Sequence, residues 1–338
     1  MKAFVTGGTG FIGSAVVREL LRQGVEVRAL CRPGSQRTNL SGLDLEIVEG
    51  DLQDRPSLVR GMAGCTHVFH AGALYSFWVK PRRKIYDVNV EGTRNVLEAA
   101  RTQKVGKIVY TSSVAALGLR EDGQPADETV TTTLEQVVGD YKKSKFLAEQ
   151  VALEYAKNLP IVIVNPSFPV GPRDIKPTPT GQTILDFLNR KMPAYVHTGM
   201  NVVDVDDVAA GHWLAAEHGR IGERYTLGGE NVTMKRLLQL LSEITGLPAP
   251  RIRLPYGPVL AMSYLNAGFC GLFPRCTPRM TPQTIRMSSH LMYFDPSKAV
   301  RELGLPQTPA KEALAKAVAW FRGNGYVRGW DASAHSSR

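Results

Sequence analysis

Tyr141 and Lys145 stand four residues apart in the run Tyr141-Lys142-Lys143-Ser144-Lys145, so a helix would bring both onto one face. A free phenol ionises near pH 10 and transfers protons poorly at neutral pH. A lysine ammonium one turn away would stabilise the phenolate and lower that value. Such a tyrosine can pass a proton to or from a substrate oxygen. Ser113 follows the apolar run KIVYTS (107–112) and could donate to the same oxygen. A Y-x-x-x-K pair is common in helices, and a lone serine more often caps a turn. These residues gain weight from their order behind a glycine turn at the start of the chain.

That turn is Thr6-Gly7-Gly8-Thr9-Gly10-Phe11-Ile12-Gly13, a G-x-x-G-x-x-G pattern. Gly7 permits the tight turn, Gly10 lets the backbone approach a diphosphate, and Gly13 lets helix and strand pack closely. It follows the strand-like KAFVT (2–6) and opens the amphipathic SAVVRELLR (14–22), the context that diphosphate binding at a helix N-terminus requires. A dinucleotide is expected on Gly7, Thr9, Gly10, Phe11 and Ile12. Val27 to Leu43 contains no Asp or Glu but holds Arg28, Arg32 and Arg37. Arg32, just past the second strand, could stack on adenine and bind a 2′-phosphate, with Arg37 as a second contact. This favours NADPH over NADH while leaving NAD usable. Asp51 and Leu52, past the third strand, are placed to meet the adenine, although Asp51 could equally cap a helix.

The 338 residues are 43% hydrophobic and 21% charged, which excludes a disordered chain and suits about two lobes. Strands are expected at 2–6, 25–31, 45–48, 67–71, 107–112 and 161–165, and helices at 14–22, 57–62, 85–103 and 139–158. Continuous apolar strands alternating with helices predict an α/β doubly wound parallel sheet over residues 1–167. Short strands near 202–205 and 224–227 are expected to return to it. Residues 168–201 and 228–325, with helices at 206–218, 233–245, 256–270 and 310–323, would form a smaller discontinuous substrate lobe ahead of a frayed tail (326–338). Phe168, Pro169, Val170, Leu185, Phe187, Tyr195 and the uncharged 256–273 segment offer an apolar lining for it.

Four scattered cysteines, Cys31, Cys65, Cys270 and Cys276, show no metal-ligand spacing and read as reduced thiols of a cytoplasmic protein. The apolar N-terminal stretch is too short for a signal-peptide core. No charge falls between Arg253 and Arg275, but the prolines and glycines there suit a cavity-lining helix better than a membrane span; a face resting on a membrane is the lesser reading. The net charge of +10 suits anionic ligands, and no nucleic-acid-binding motif accompanies it.

His70-Ala71-Gly72, Asn89-Val90-Glu91-Gly92-Thr93, Thr111-Ser112-Ser113, Asn165-Pro166-Ser167 and Val203-Asp204-Val205-Asp206-Asp207-Val208-Ala209 complete an ordered motif set. With it the chain resembles the extended short-chain dehydrogenase/reductases, in the dihydroflavonol-4-reductase-like branch and nearest the group called hopanoid-associated sugar epimerases. The resemblance implies a Rossmann fold, a catalytic Ser113–Tyr141–Lys145 set, a homodimer joined through the helices at 85–103 and 139–158, and further cofactor contacts from Ala71, Gly72, Ala73, Thr111, Ser112, Tyr141, Lys145, Pro166 and Ser167. Asn89 reads as a tie between strands. Two activities remain: an NADPH-dependent reduction of a carbonyl, or the reverse, on a small apolar substrate; and an NDP-sugar epimerase or dehydratase with a retained cofactor. Only Arg173, Lys176, Arg190 and Lys191 could serve the second diphosphate that the latter needs.

Overall fold

The computed structural model describes residues 1–76, 81–272, 282–287 and 290–327. The first half runs β1 (Lys2–Thr6), α1 (Phe11–Arg22), β2 (Glu26–Cys31), β3 (Glu46–Glu49), α2 (Arg55–Met62), β4 (His67–His70), α3 (Arg83–Tyr86), α4 (Gly92–Thr102), β5 (Lys107–Thr111), α5 (Asp140–Tyr155) and β6 (Ile161–Pro166). The second half runs β7 (Phe168–Val170), α6 (Pro179–Leu188), β8 (Ala194–Val196), β9 (Gly199–Asp204), α7 (Val205–His218), β10 (Arg224–Leu227), β11 (Glu230–Thr233) and α8 (Met234–Thr245). It ends with β12 (Ile252–Leu254), α9 (Tyr256–Leu272), α10 (Pro282–Met287), β13 (Leu291–Met292), α11 (Ser297–Leu303) and α12 (Ala310–Gly323).

Seven strands form one parallel sheet in the order β10-β6-β5-β4-β1-β2-β3. Side chains alternate between its faces. Ala3, Val5, Val109, Val162 and Val164 enter a core covered by α1, α7 and α11. Phe4, Ile108, Tyr110, Ile161 and Ile163 enter a core under α2, α4 and α5. Burial on both faces is why these strands read as unbroken apolar runs.

The expected return of residues 202–205 to this sheet is corrected. β9 instead pairs with β7, β11 and β13 in a separate four-stranded sheet, and only β10 rejoins the main one, beside β6. The reason is long-range: Asn201 at the centre of β9 donates to Gly229 O, Asn231 Oδ1 and Phe294 O at 2.9, 2.9 and 3.1 Å. Leu185 and Phe187 are corrected too. They are buried with α8 and α12 in the lobe's own core instead of lining a cavity. The uncharged segment forms α9, whose principal packing partner is α10, and Met262, Tyr264, Leu265 and Phe269 face outward. Cys31 and Cys65 are buried free thiols, whereas Cys270 is disulfide-bonded, against the expectation of free thiols throughout. Cys276, residue 273 and residues 328–338 lie outside the described residues.

Two buried imidazoles tie the sheet's C-terminal edge. His212 Nδ1–H donates to Val208 O at 2.7 Å, so its Nε2 accepts from Thr111 Oγ1 at 2.8 Å. Thr93 Oγ1–H donates to Asn89 O, so His70 Nε2–H donates to Thr93 and His70 Nδ1 accepts from Thr6. Burial lowers His70 to about 3 and His212 to about 4, keeping both neutral. Below the unfolded value near 6.5 the unfolded chain binds two protons that the folded chain refuses, so stability falls with falling pH. We expect the unfolding free energy from urea titration to drop by about 1–3 kcal/mol between pH 6.5 and 5, and a flat profile would refute neutral burial.

Candidate active site

The strand order reverses between β1 and β4, which opens a crevice at their C-terminal ends. Gly7 lines it with φ +74°, and a Cβ there would lie 2.6–2.7 Å from the backbone of Ala71 and Gly72. A Cβ on Gly13 would lie 2.1 Å from Gly7 O. Gly10 caps α1 without a side-chain hydrogen bond, and the first turn of α1 carries no acidic residue. A turn that excludes side chains and presents backbone N–H groups at a positive helix end fits a diphosphate. Phe11 and Ile12 pack against the core below, and Thr9 O accepts from Asn39 Nδ2. Opposite, Gly72 N–H donates to Thr6 Oγ1 at 3.1 Å, and Leu52 lies against Gly72 and Gly92. Ala73 is exposed on the same loop.

Arg32 follows β2 directly and is exposed, with no side-chain partner among the described residues. Arg37 differs from expectation: it is paired with Glu49 at 2.5 Å. Glu49 closes β3 in register with Cys31, so the sheet brings a carboxylate to the end of β2 that the intervening sequence lacks. Asp51 accepts from Gln53 N–H at 2.9 Å and shapes the turn before α2, whose cap is Asp54.

Ser113 and Tyr141 meet at the C-terminal end of β5. The Ser113 hydroxyl lies close enough to the Tyr141 phenol to lower it, and its oxygen accepts from Ala115 N–H at 3.1 Å. Asn165 fixes this serine, because its Nδ2 bridges Ser113 O at 3.0 Å and the buried Glu149 carboxylate at 2.6 Å. Lys145 is buried one turn along α5 and donates to Thr111 O at 2.8 Å. Burial lowers its ammonium to about 8. Burial pushes the Tyr141 phenol up to about 12 and Ser113 is the group that pulls it back; the expected lowering draws on the positive charge of a bound oxidised nicotinamide as well as on Lys145. Lys145 Nζ also donates to the Tyr110 hydroxyl at 3.5 Å, so both of these partners belong to β5. Ser112 is buried on the same strand end, with its N–H on Val164 O.

Two further residues were placed differently from the sequence reading. Asn89 lies in a π-helical turn (Asp87–Glu91) and links the Leu74 backbone to Ser144 Oγ, so it ties the post-β4 loop to α5 and not strand to strand. Such insertions recur beside functional sites. Ser167 Oγ is committed to Asn201, and Pro166 is buried. Tyr75 was not foreseen. Its ring lies 4.5 Å from that of Tyr141, on a loop whose sequence carries no spacing signal.

A parallel doubly wound sheet with a glycine cradle at its switch point, and with Ser113 and Tyr141 at its C-terminal edge, has the architecture of the extended short-chain dehydrogenase/reductases. A model of the NAD dependent epimerase/dehydratase family matches residues 3–228, and the chain belongs to that family. It is 50% identical over 330 residues, 96% of either chain, to a Synechocystis sp. protein provisionally named dihydroflavonol 4-reductase. It is 39% identical over 332 residues to sterol demethylase protein B of Methylococcus capsulatus, covering 97% of this chain and all of that one. The crystal structure of gox2253 superposes with a TM-score of 0.87 at 48% identity, over 96% of this chain and 99% of the other.

The cradle generates a prediction. Gly13→Ala should weaken NADPH binding about ten-fold or more, because its Cβ meets backbone and the turn must open. Fluorescence titration measures it, and far-UV circular dichroism unchanged from wild type separates it from misfolding.

Proposed function

We propose that the chain is an NADP-dependent oxidoreductase that moves a hydride between NADPH and a carbonyl or alcohol carbon of a small, largely apolar substrate. The observation that carries the reading is the approach of Ser113 to Tyr141 at the C-terminal sheet edge that also holds the glycine cradle, close enough for the serine to lower the phenol. The nicotinamide, when bound, supplies or accepts the hydride. Tyr141 at about 12 is a protonated phenol at neutral pH, the state that reduction needs in an acid. Ser113 would turn its hydroxyl to the substrate oxygen and hold it against Tyr141. Lys145, mostly an ammonium below pH 8, would hydrogen-bond the nicotinamide ribose and stabilise the phenolate left after proton donation. Arg32 would hold the 2′-phosphate, unaided by Arg37 unless the pair with Glu49 opens.

The relatives' names, a flavonoid reductase and a sterol-processing protein, support an apolar substrate. Of the four cations available for a sugar diphosphate, Arg173 is already paired with Asp206 at 3.0 Å. We further propose a homodimer through the helices of 83–102 and α5, where Tyr86 of α3, Val90 of the π-helical turn and Leu147 of α5 line an open groove of about 560 Å³.

A panel of ketones, aldehydes and NDP-sugars followed by NADPH absorbance tests the reading. Net NADPH loss with a ketone or aldehyde supports it, and sugar inversion without net loss favours an epimerase. Tyr141→Phe should lower kcat by about 10²–10⁴-fold with cofactor affinity within a few-fold, since only the transferable proton is removed. Near-normal turnover would defeat the assignment. Arg32→Asp should weaken NADPH by about ten- to a hundred-fold and spare NADH, because a guanidinium–phosphate contact is worth about 1.5–3 kcal/mol. Tighter binding of NADH than NADPH by the wild type would overturn the cofactor choice.

A further inference from the structure

α9 is built inside out. Val259, Ser263 and Cys270 are buried, while Leu265, Phe269 and Met262 are 71%, 61% and 57% exposed. Ala261, Met262, Leu265 and Phe269 fall on one stripe at helical spacing, so the apolar face points outward and a serine points in. A helix resting in water has the opposite pattern. Tyr264 flanks the stripe and accepts from the Arg286 guanidinium. Ile252 and Leu254 of β12, just before the helix, are exposed as well, so half of the twelve exposed large hydrophobics among the described residues lie between 252 and 269. An exposed apolar stripe of this kind marks an interaction surface.

The charge around it selects the partner. From Ile244 to Phe294 there is no Asp or Glu, and the charged residues are Arg251, Arg253, Arg275, Arg279 and Arg286. Arg251 and Arg253 are exposed just ahead of α9 in the chain, and Arg286 is exposed against Tyr264 of the helix. A second copy of this face would set like charges against each other across a two-fold axis. A uniformly anionic plane with an apolar interior answers both features at once. Among the described residues no helix is long and apolar enough to cross a membrane.

We propose that α9 lies in the surface of an anionic lipid bilayer, with Met262, Leu265 and Phe269 among the acyl chains and Arg251, Arg253 and Arg286 at the headgroups. Tyr264 sits at the level where an aromatic with a polar tip is stable. The proposal concerns where the protein sits and stands apart from the direction or substrate of the hydride transfer. It would give the substrate lobe access to lipid-soluble compounds.

The test is flotation of the full chain with vesicles of phosphatidylcholine alone or mixed equally with phosphatidylglycerol. The wild type should float with the anionic vesicles and little with the neutral ones, and should be released by salt. The double variant Leu265→Asp/Phe269→Asp should lose flotation by about ten-fold, with NADPH binding and circular dichroism unchanged. Should that variant fail to fold, Arg251→Glu/Arg253→Glu decides: it should reduce binding to anionic vesicles and flatten its salt dependence. Absence of flotation by the wild type, or equal flotation by folded variants, overturns the proposal. So does conversion of an oligomer to a monomer by Leu265→Asp/Phe269→Asp without any vesicle binding, which would make the stripe a protein interface.

Discussion

The site depends on how closely β1 and β4 can approach where they part. Gly7 turns against the backbone of Ala71 and Gly72 at a distance that admits no side chain. One directed run of hydrogen bonds holds that approach: Gly72 N–H to Thr6, Thr6 to His70, His70 to Thr93, and Thr93 to Asn89 O. It runs in one direction only while His70 is neutral, which its complete burial ensures. A protonated imidazole would have no acceptor role for Thr6 to meet. The nucleotide cradle, the post-β4 loop and the π-helical turn are therefore one unit.

The candidate catalytic edge is built by a second set of ties, to Thr111 at the end of β5 and to Ser113 just beyond it. Asn165 holds the carbonyl of Ser113, Lys145 holds that of Thr111, and His212 holds the Thr111 hydroxyl. Each partner comes from a different element, so the Ser113 hydroxyl is aimed by β6, α5 and α7 together. Asn165 also satisfies Glu149, which meets Arg224 at 3.3 Å, so the buried carboxylate is not left unpaired. Burial, with Ser113 pulling the other way, sets the Tyr141 phenol at this edge. Positive charge arriving with an oxidised cofactor would act in the same low-dielectric setting and pull that phenol down.

What the sequence made legible was local. The strand–turn–helix at Lys2–Arg22 and the i, i+4 pair Tyr141 and Lys145 depend on contiguous residues, and the apolar runs of the parallel sheet reflect burial on both faces. What it hid was set by partners far along the chain. β9 reads like any short buried strand, and Asn201's contacts with Gly229, Asn231 and Phe294 decide its sheet. The Arg37–Glu49 pair depends on β2–β3 register. Leu185 and Phe187 look the same in sequence whether they line a cavity or fill a core. In α9 the lack of charge was visible, but which stripe faces out was not.

Asn201 also explains how a lobe drawn from separate segments keeps its register on the catalytic edge. Its Oδ1 accepts from Ser167 Oγ at 2.7 Å and from Gly229 N–H at 2.8 Å, while its Nδ2 serves β11 and the start of α11's approach at Phe294. Ser167 lies one residue beyond β6, and Ser167 N–H donates to Leu227 O at the end of β10. One fully buried amide thus joins the main sheet to the four-stranded sheet. Leaving its donors and acceptors unmatched would cost about 1–3 kcal/mol for each group, so the lobes have little freedom to slide at this point. On the proposed reading, selection among substrates would then come from side chains and loops farther out, with the place of Ser113 and Tyr141 held constant.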